Sequence, residues 1–389
     1  MALWIGLLTP VSVTLALRVA DLTSADKGAW LSLTIGAGAL LAAVAGPVFG
    51  YLSDRTRARI GRRRPWLIGG MLVSVAGTVI LVAAPNVVVL VVGWCVAALG
   101  FNAAQAAMFA VLPDHVPARH LGRVSGLLGL TIQAAVLVGT FLVQAVPARS
   151  PAALLLPTAI AVVFVGGFVV VLPDRPARAV SDVGRGLLTL LRAYRFSPRR
   201  HPDFAWAFVS RFLLMLGLSY LLTYQVYYLT DELGFSADDV ARAVFGAMAV
   251  NATVTIIVSV AGGWLSDRVG RRKPFVVAAA VIAAAGLLIV GTAPTYTRFL
   301  VGIGVGAFGT GLYMAVDLAL VAAVLPDPDD SAKDMSIFNI ANAFPQSLAP
   351  SIAPLFLLAG SGDYTPVFVA GAVFMVCGAI AIKPIRAVL

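Results

Sequence analysis

Long apolar runs separated by short polar stretches dominate this 389-residue chain. A helix needs roughly 20 apolar residues to cross the hydrocarbon core of a bilayer. Twelve runs meet that requirement and predict an all-α membrane protein with twelve transmembrane helices. The predicted spans are 3–22, 29–52, 65–84, 87–112, 122–146, 152–172, 204–229, 240–265, 274–293, 298–325, 335–358 and 364–384.

The amino-acid composition is typical of an integral membrane protein. Hydrophobic residues make up 60% of the sequence and charged residues 12%, with a mean hydropathy of +0.94. A soluble domain carries about twice that share of charge. The net charge of +10 would suggest a nucleic-acid partner in a soluble protein. In a membrane protein, basic loops facing anionic lipid explain it, so we expect contact with membrane lipid and no nucleic-acid partner.

The basic residues also predict an orientation. Cytoplasmic loops keep lysine and arginine, and a cytoplasmic N-terminus places 22 of the 28 on the cytoplasmic side. The densest cluster is the stretch 50–65, with six arginines and one aspartate between predicted helices 2 and 3. We therefore expect a multi-pass protein of the cell (inner) membrane with both termini in the cytoplasm.

Two sequence motifs occur twice at one spacing. Gly50-Tyr-Leu-Ser-Asp54-Arg55 returns as Gly263-Trp-Leu-Ser-Asp267-Arg268, and Val-Leu-Pro-Asp ends at both 114 and 327, so each offset is 213 residues. Such a repeat indicates a duplicated six-helix half. It predicts two pseudo-symmetric bundles, 1–173 and 204–389, joined by a cytoplasmic linker, 174–203, with an amphipathic piece near 186–194 at the membrane surface.

The second copy of this motif, which continues to Lys273, resembles the loop motif of the major facilitator superfamily. That resemblance implies the superfamily's fold and a cytoplasmic gate, in which an aspartate at a helix end pairs with arginines and a neighbouring helix N-terminus. The positions carried over are Gly50, Asp54, Arg55, Arg62, Gly263, Asp267, Arg268 and Arg271. Arg18 and Asp21, at the other end of predicted helix 1, are interpreted as an interfacial or outer-gate pair.

A narrower resemblance rests on two features. The first loop is four residues longer than the second, as in sucrose transporters and related glycoside cation symporters. The run Asn339-Ile-Ala-Asn-Ala-Phe-Pro-Gln346 is similar to one in sucrose transporters. Departures exist as well: Ala98 stands where plant sucrose transporters carry an acid. Helices 2 and 4 lack the sodium-binding aspartates of melibiose-type symporters, and the motifs of drug antiporters do not occur.

Ionisable residues at membrane depth are functional candidates, because burying a charge in lipid is costly. Asp317 lies in predicted helix 10, about 15 Å of helix from Asp327 at 1.5 Å per residue. Arg211 lies at a similar depth in predicted helix 7. The two are predicted to form either a proton-coupling pair or a structural ion pair that never titrates, in which case the protein is a passive facilitator.

Amide and phenol side chains on predicted cavity-lining helices form the candidate substrate site. Such groups make the several hydrogen bonds that a sugar requires, although each could also join two helices. The candidates are Asn102, Gln105, Gln133, Tyr220, Tyr224, Gln225, Tyr313, Asn339, Asn342 and Gln346. Without a strong charge cluster, this set favours a neutral, hydroxyl-rich solute.

No phosphate loop or metal-ligand spacing occurs in the sequence, so we expect neither an enzyme nor a bound cofactor or metal. The favoured hypothesis is a monomeric secondary transporter that moves a sugar or glycoside with protons by alternating access. A uniporter, or an exporter of a small hydrophobic solute, is the alternative within transporters. A membrane receptor or scaffold on the same fold is the alternative from another class.

Overall fold

The computed structural model describes residues 1–23, 26–115, 118–174, 201–269, 273–324, 331–359 and 363–385. Within these ranges there are twelve helical segments and no β-strand, so the predicted fold class is confirmed. The helices are α1 Ala2–Leu22, α2 Lys27–Arg55, α3 Arg64–Ala83, α4 Val87–His115, α5 Ala118–Gln144, α6 Pro151–Val171, α7 Pro202–Glu232, α8 Ala237–Val269, α9 Lys273–Gly291, α10 Tyr296–Val324, α11 Ser331–Ala359 and α12 Thr365–Ala381. The predicted linker lies almost entirely outside the described residues.

Length and exposed apolar surface identify a multi-pass membrane protein. Among the described residues, eight helices are long and apolar enough to cross a bilayer. Large apolar side chains are exposed on the outer faces of these helices. On α6 they include Val163, Phe164, Val170 and Val171. A water-soluble protein would not leave such a contiguous surface open, whereas lipid solvates it.

Local chemistry explains where several helices begin. Proline stands in the first turn of α3, α6, α7 and α12, where its missing N–H costs nothing. Ser236 caps α8, because its hydroxyl accepts the N–H of Asp239 at 3.1 Å and donates to the Asp239 carboxylate at 2.7 Å. Gly234, with φ of +71°, makes the turn between α7 and α8.

The chain forms two compact units. One comprises Met1–Arg185 with Ser236–Phe245, and the other comprises Gly186–Phe235 with Gly246–Leu389. In the first unit, α4 packs against α2 and α3, while α1 packs against α5 and α6. In the second, α9 packs against α10 and α12, while α7 packs against α11 and α12.

Glycines hold one helix pair together in each unit. In the first unit, a Cβ at Gly77 of α3 would overlap the backbone of Ala97 in α4. In the second unit, a Cβ at Gly286 of α9 would overlap the backbone of Gly306 in α10. Small residues let membrane helices approach closely enough for such backbone contact. The α3–α4 and α9–α10 pairs are therefore built in the same way.

These glycines extend the internal repeat. The pairs that correspond are Gly77 with Gly286, Gly93 with Gly302, and Gly100 with Gly309, each 209 residues apart. The motif that begins at Gly50 and returns at Gly263 lies before the first loop at an offset of 213 residues, so the four-residue difference equals the extra length of that loop. Beyond the glycines, the Val-Leu-Pro-Asp motif is again offset by 213 residues. The internal repeat is therefore visible in the glycine contacts between helices as well as in the loop sequences.

Substituting Gly309 with alanine is expected to destabilise the protein by about 1–3 kcal/mol, because the new Cβ would meet the backbone of Ala279 and Ala283 at 2.5 Å. Gly306→Ala on the same helix is the matched control. A Cβ there meets nothing within 4 Å, and alanine favours helix by about 1 kcal/mol over glycine. Thermal unfolding in detergent measures both variants. Equal melting temperatures would rule out the glycine contact as a source of stability.

Candidate functional site

A buried ion pair joins α7 to α10 in the second unit. Arg211 Nη1 lies 3.0 Å from Asp317 Oδ2, and the two side chains are 14% and 5% exposed. Tyr313, one turn earlier on α10, is buried as well, and its hydroxyl lies close to the Asp317 carboxylate. Among the described residues, Asp317 Oδ1 has no hydrogen-bond partner. The carboxylate therefore keeps one oxygen able to accept a proton or a hydroxyl.

Apolar side chains surround this ion pair. Phe204, Leu214, Met215 and Val316 belong to the same buried cluster as Tyr313. Removing two charges from water is costly, and their attraction repays that cost only when the geometry is good.

The 3.6-residue helical repeat divides the polar side chains of α7 between two faces. Gln225 falls on the same face as Arg211, whereas Tyr220 and Tyr224 fall on the opposite face. Tyr220 packs against Phe356 of α11 and Phe374 of α12, with ring centroids 6.2 and 6.3 Å away. The ring centroids of Tyr224 and Tyr364, the residue before α12, are 6.0 Å apart. These tyrosines form an aromatic cluster with α11 and α12, away from the ion pair.

Two of these α7 residues keep unsatisfied polar atoms. Gln225 is fully buried, and neither its amide oxygen nor its amide nitrogen has a hydrogen-bond partner among the described residues. The same holds for the Tyr220 hydroxyl. Buried polar groups are nearly always paired, so these atoms require an explanation. A polar ligand that binds beside them would supply one.

The remaining amide candidates whose side chains are described are less deeply buried than Gln225. In the first unit, Asn102, Gln105 and Gln133 are partly buried, and Asn102 donates to the Ala98 carbonyl of its own helix at 2.8 Å. In the second unit, Gln346 is exposed and donates to the Asn342 carbonyl at 3.3 Å. Asn339 lies in α11, but its side chain is outside the described residues.

Arg18 and Asp21, expected to pair with each other, take different partners. Asp21 Oδ1 lies 2.9 Å from Arg149 Nε, near the start of α6. Arg18 Nη2 donates to the carbonyls of Val82 and Ala84, both at 3.1 Å. Those carbonyls end α3 and have no partner within the helix, so a guanidinium is a favourable donor for them.

Comparison with known proteins assigns the family. The family model described as Major Facilitator Superfamily matches residues 5–295 and 208–387, which together cover nearly the whole chain. The chain belongs to the Major Facilitator Superfamily. Members of this superfamily are membrane transporters, which agrees with the expectation that the protein is not an enzyme.

Curated members of the superfamily match over part of the chain. It is 28% identical over 147 residues to the uncharacterized MFS-type transporter YhcA of Bacillus subtilis, covering 38% of this chain and 25% of YhcA. It is 44% identical over 54 residues to the uncharacterized symporter sll1374 of Synechocystis, covering 14% of this chain and 9% of the symporter. The chain thus spans a quarter or less of these two relatives.

Solved structures of the superfamily match along the full length. The nucleoside transporter NupG (D323A mutant) has a TM-score of 0.76 at 13% identity, covering 99% of this chain and 98% of NupG. A D-xylose-proton symporter has a TM-score of 0.73 at 16% identity, covering 99% and 95%. A bacterial homolog of the human lysosomal transporter Spinster gives 0.72 at 16%, covering 98% and 92%. At these identities the likeness shows the fold.

The loop motifs that resemble the superfamily are only partly described. The side chains of Asp54 and Asp267, and all of Arg271, lie outside the described residues. Arg55 stacks on the Tyr51 ring at 4.3 Å, and Arg268 on the Trp264 ring at 5.2 Å. Arg62 is partly buried. Gly50 and Gly263 each face open space, since a Cβ there would meet nothing within 4 Å.

A carboxylate that the sequence analysis missed holds the first of these loops. Asp174, just after α6, accepts the backbone N–H groups of Arg63 and Arg64 at 2.6 and 2.8 Å. Arg64 Nη2 donates to the Leu172 carbonyl at 2.6 Å. Gly61, with φ of +111°, passes so close to Asp174 that a Cβ would overlap the carboxylate. Asp174 therefore caps α3 and ties the basic loop to the end of α6.

Proposed function

We propose that this superfamily member is a secondary transporter that moves a neutral sugar or glycoside together with a proton, by alternating access of its two six-helix halves. The observation that carries the proposal is the Arg211–Asp317 pair, buried in apolar surroundings, with one carboxylate oxygen that has no hydrogen-bond partner among the described residues. Ionisable residues at membrane depth are costly and mark transport pathways.

Coupling follows from exchange of partners at Asp317. Protonation neutralises the carboxylate and releases Arg211, whose guanidinium then donates hydrogen bonds to the hydroxyls of the substrate. Loss of the proton restores the ion pair and expels the substrate.

A hydroxyl-rich substrate matches polar groups on the same face of α7 as Arg211. Gln225 lies on that face about 21 Å further along the helix at 1.5 Å per residue. Its amide has no hydrogen-bond partner among the described residues and offers both donors and an acceptor. Asn102, Gln105 and Gln133 offer further amides in the first half, as do Asn339, Asn342 and Gln346 in α11. Two structural neighbours bear the names of a nucleoside transporter and a D-xylose-proton symporter, which supports this class. The helix 11 sequence favours a sucrose-like glycoside within it.

The cytoplasmic gate is proposed at the two loop motifs, through Asp54 and Asp267 with their neighbouring arginines. The aromatic stacking of Arg55 and Arg268 supports an ordered loop end in each half. The protein is proposed to work as a monomer in the cell membrane, with both termini in the cytoplasm.

Uptake of radiolabelled sugars into proteoliposomes, with and without an inward proton gradient, tests the proposal. We expect saturable uptake of at least one di- or monosaccharide, accelerated by the gradient. Saturable uptake that ignores the gradient would indicate a uniporter. Binding without flux would indicate a receptor, and absence of both across the panel would exclude the substrate class.

Replacing Gln225 with leucine is expected to weaken sugar binding about tenfold while raising stability by about 1 kcal/mol or more. The substitution removes substrate hydrogen bonds together with two buried atoms that lack partners in the described part of the chain. Half-saturation of uptake and the melting temperature in detergent are the two readouts. Gln346→Leu, at an exposed amide, is the control for stability. A loss of stability in Gln225→Leu would show that the amide is structural.

A further inference from the structure

A polar cavity of about 190 Å³ lies at one end of the first unit, where α1 and α3 end and α6 begins. Thr14, Arg18, Asp21, Arg149 and Ser150 supply its polar lining. One water requires only 10–15 Å³ of such volume, so the cavity admits a larger group. Its position at helix ends places it at the boundary between hydrocarbon and headgroups.

The Thr14 hydroxyl has lost its ordinary partner. Several other buried Ser and Thr side chains donate to the carbonyl four residues earlier, as Ser12, Ser74 and Thr140 do. For Thr14 that carbonyl belongs to Pro10, which instead accepts the N–H of Leu15 because Pro10–Thr14 forms a π-helical turn. Thr14 is 2% exposed, and its hydroxyl has no partner among the described residues.

A second hydroxyl in the lining, that of Ser150, also lacks a hydrogen-bond partner among the described residues. Ser150 occupies the N-cap position of α6 without making a capping bond, and its Oγ is buried with no partner among the described residues. The positive end of the α6 dipole points toward this position. Two independent elements, the π turn of α1 and the start of α6, therefore offer unused hydroxyls to one cavity.

Charge decides which ligand matches these groups. The lining carries two guanidiniums and one carboxylate, and Arg149 already pairs with Asp21 at 2.9 Å. Arg18 uses Nη2 for the α3 carbonyls, which leaves Nε and Nη1 as further donors. A nearby carboxylate, Asp238, accepts the N–H of Ala148 at 3.2 Å. Donors exceed acceptors in the lining, and the charges of the lining residues themselves sum to +1, which Asp238 beside them offsets.

We propose that this cavity binds a phosphate group, with Arg18 as its counter-ion and the Thr14 and Ser150 hydroxyls as donors. Phosphate oxygens accept several charge-assisted hydrogen bonds at once, as this donor set requires. The group comes either from a phospholipid headgroup at the same depth or from soluble phosphate. The site lies in the first unit and does not depend on the Arg211–Asp317 pair or on the proposed transport function.

Native mass spectrometry and thermal unfolding of the detergent-purified protein test the proposal together. If lipid is the source, wild type retains a phospholipid that Thr14→Val loses about tenfold, the effect of one hydrogen bond to a charged group. If the source is soluble, inorganic phosphate at constant ionic strength raises the melting temperature of wild type. Thr14→Val then needs about ten times more phosphate for the same rise in melting temperature.

The control variants keep the test independent of folding. Thr14→Ser restores the hydroxyl and is expected to behave as wild type, while Arg298→Gln removes an exposed arginine in the second unit and should change neither readout. Ser150→Ala is expected to repeat the Thr14→Val result without touching α1. The proposal is overturned if wild type shows neither retained phospholipid nor a phosphate-dependent shift, or if Thr14→Val and Ser150→Ala both match wild type.

Discussion

Replacing Arg211 with methionine while keeping Asp317 is expected to destabilise the protein by about 3–5 kcal/mol, because a buried carboxylate is left without its counter-charge. The double variant Arg211→Met/Asp317→Leu removes both charges and fills similar volume. Its stability is expected to lie within about 1 kcal/mol of wild type, or above it, since burying a pair costs nearly as much as the attraction returns.

Denaturant unfolding in mixed micelles measures these differences. Arg268→Met is the matched control, because Arg268 is exposed and stacks on Trp264 outside the core. Its effect should stay within about 0.5 kcal/mol. If the single and double variants are equally unstable, Arg211 acts through packing of its aliphatic stem, and the charge pair contributes no coupling energy.

Asp317→Asn is expected to abolish proton-driven accumulation while sparing sugar exchange. Asparagine has nearly the size of a protonated aspartate but cannot release a proton, so the cycle would lose its coupling step. We expect the ratio of internal to external sugar to fall to about 1, and counterflow exchange to stay within about threefold of wild type, a change of less than 1 kcal/mol.

The control for this variant is Asp239→Asn, which neutralises an exposed carboxylate paired with Arg242 at 3.6 Å. It should accumulate sugar as wild type does. Unchanged accumulation by Asp317→Asn would assign the ion pair a structural role, while loss of exchange together with accumulation would mean that Asp317 holds the substrate site in shape.

The helices and their repeat could be predicted because lipid leaves a chain few choices. Every backbone polar group must be satisfied within the span, so apolar runs of sufficient length become helices. Depth along a helix is also readable from sequence, which is why Arg211 and Asp317 could be expected to meet. The repeat needed only the two loop motifs, and the glycine contacts of α3–α4 and α9–α10 added a second record of it.

The features that could not be predicted from the sequence depend on contacts between residues far apart in the chain. Asp174 caps a helix that begins 110 residues earlier, and no local pattern links the two. The side-chain direction of Tyr220 depends on the packing of α11 and α12. The π turn that frees the Thr14 hydroxyl has no signature except Pro10, a residue equally compatible with an ordinary helix. Arg18 and Asp21 looked like partners because they are close in sequence, yet each reaches a different helix.

Proton movement on addition of sugar tests the central claim most directly. Proteoliposomes that enclose a pH-sensitive dye receive sucrose and a panel of other di- and monosaccharides, with wild type and Asp317→Asn in parallel. The account predicts that at least one sugar acidifies the interior in wild type and that the same sugar exchanges through Asp317→Asn without acidification. A sugar that crosses the wild-type membrane without moving protons would contradict it.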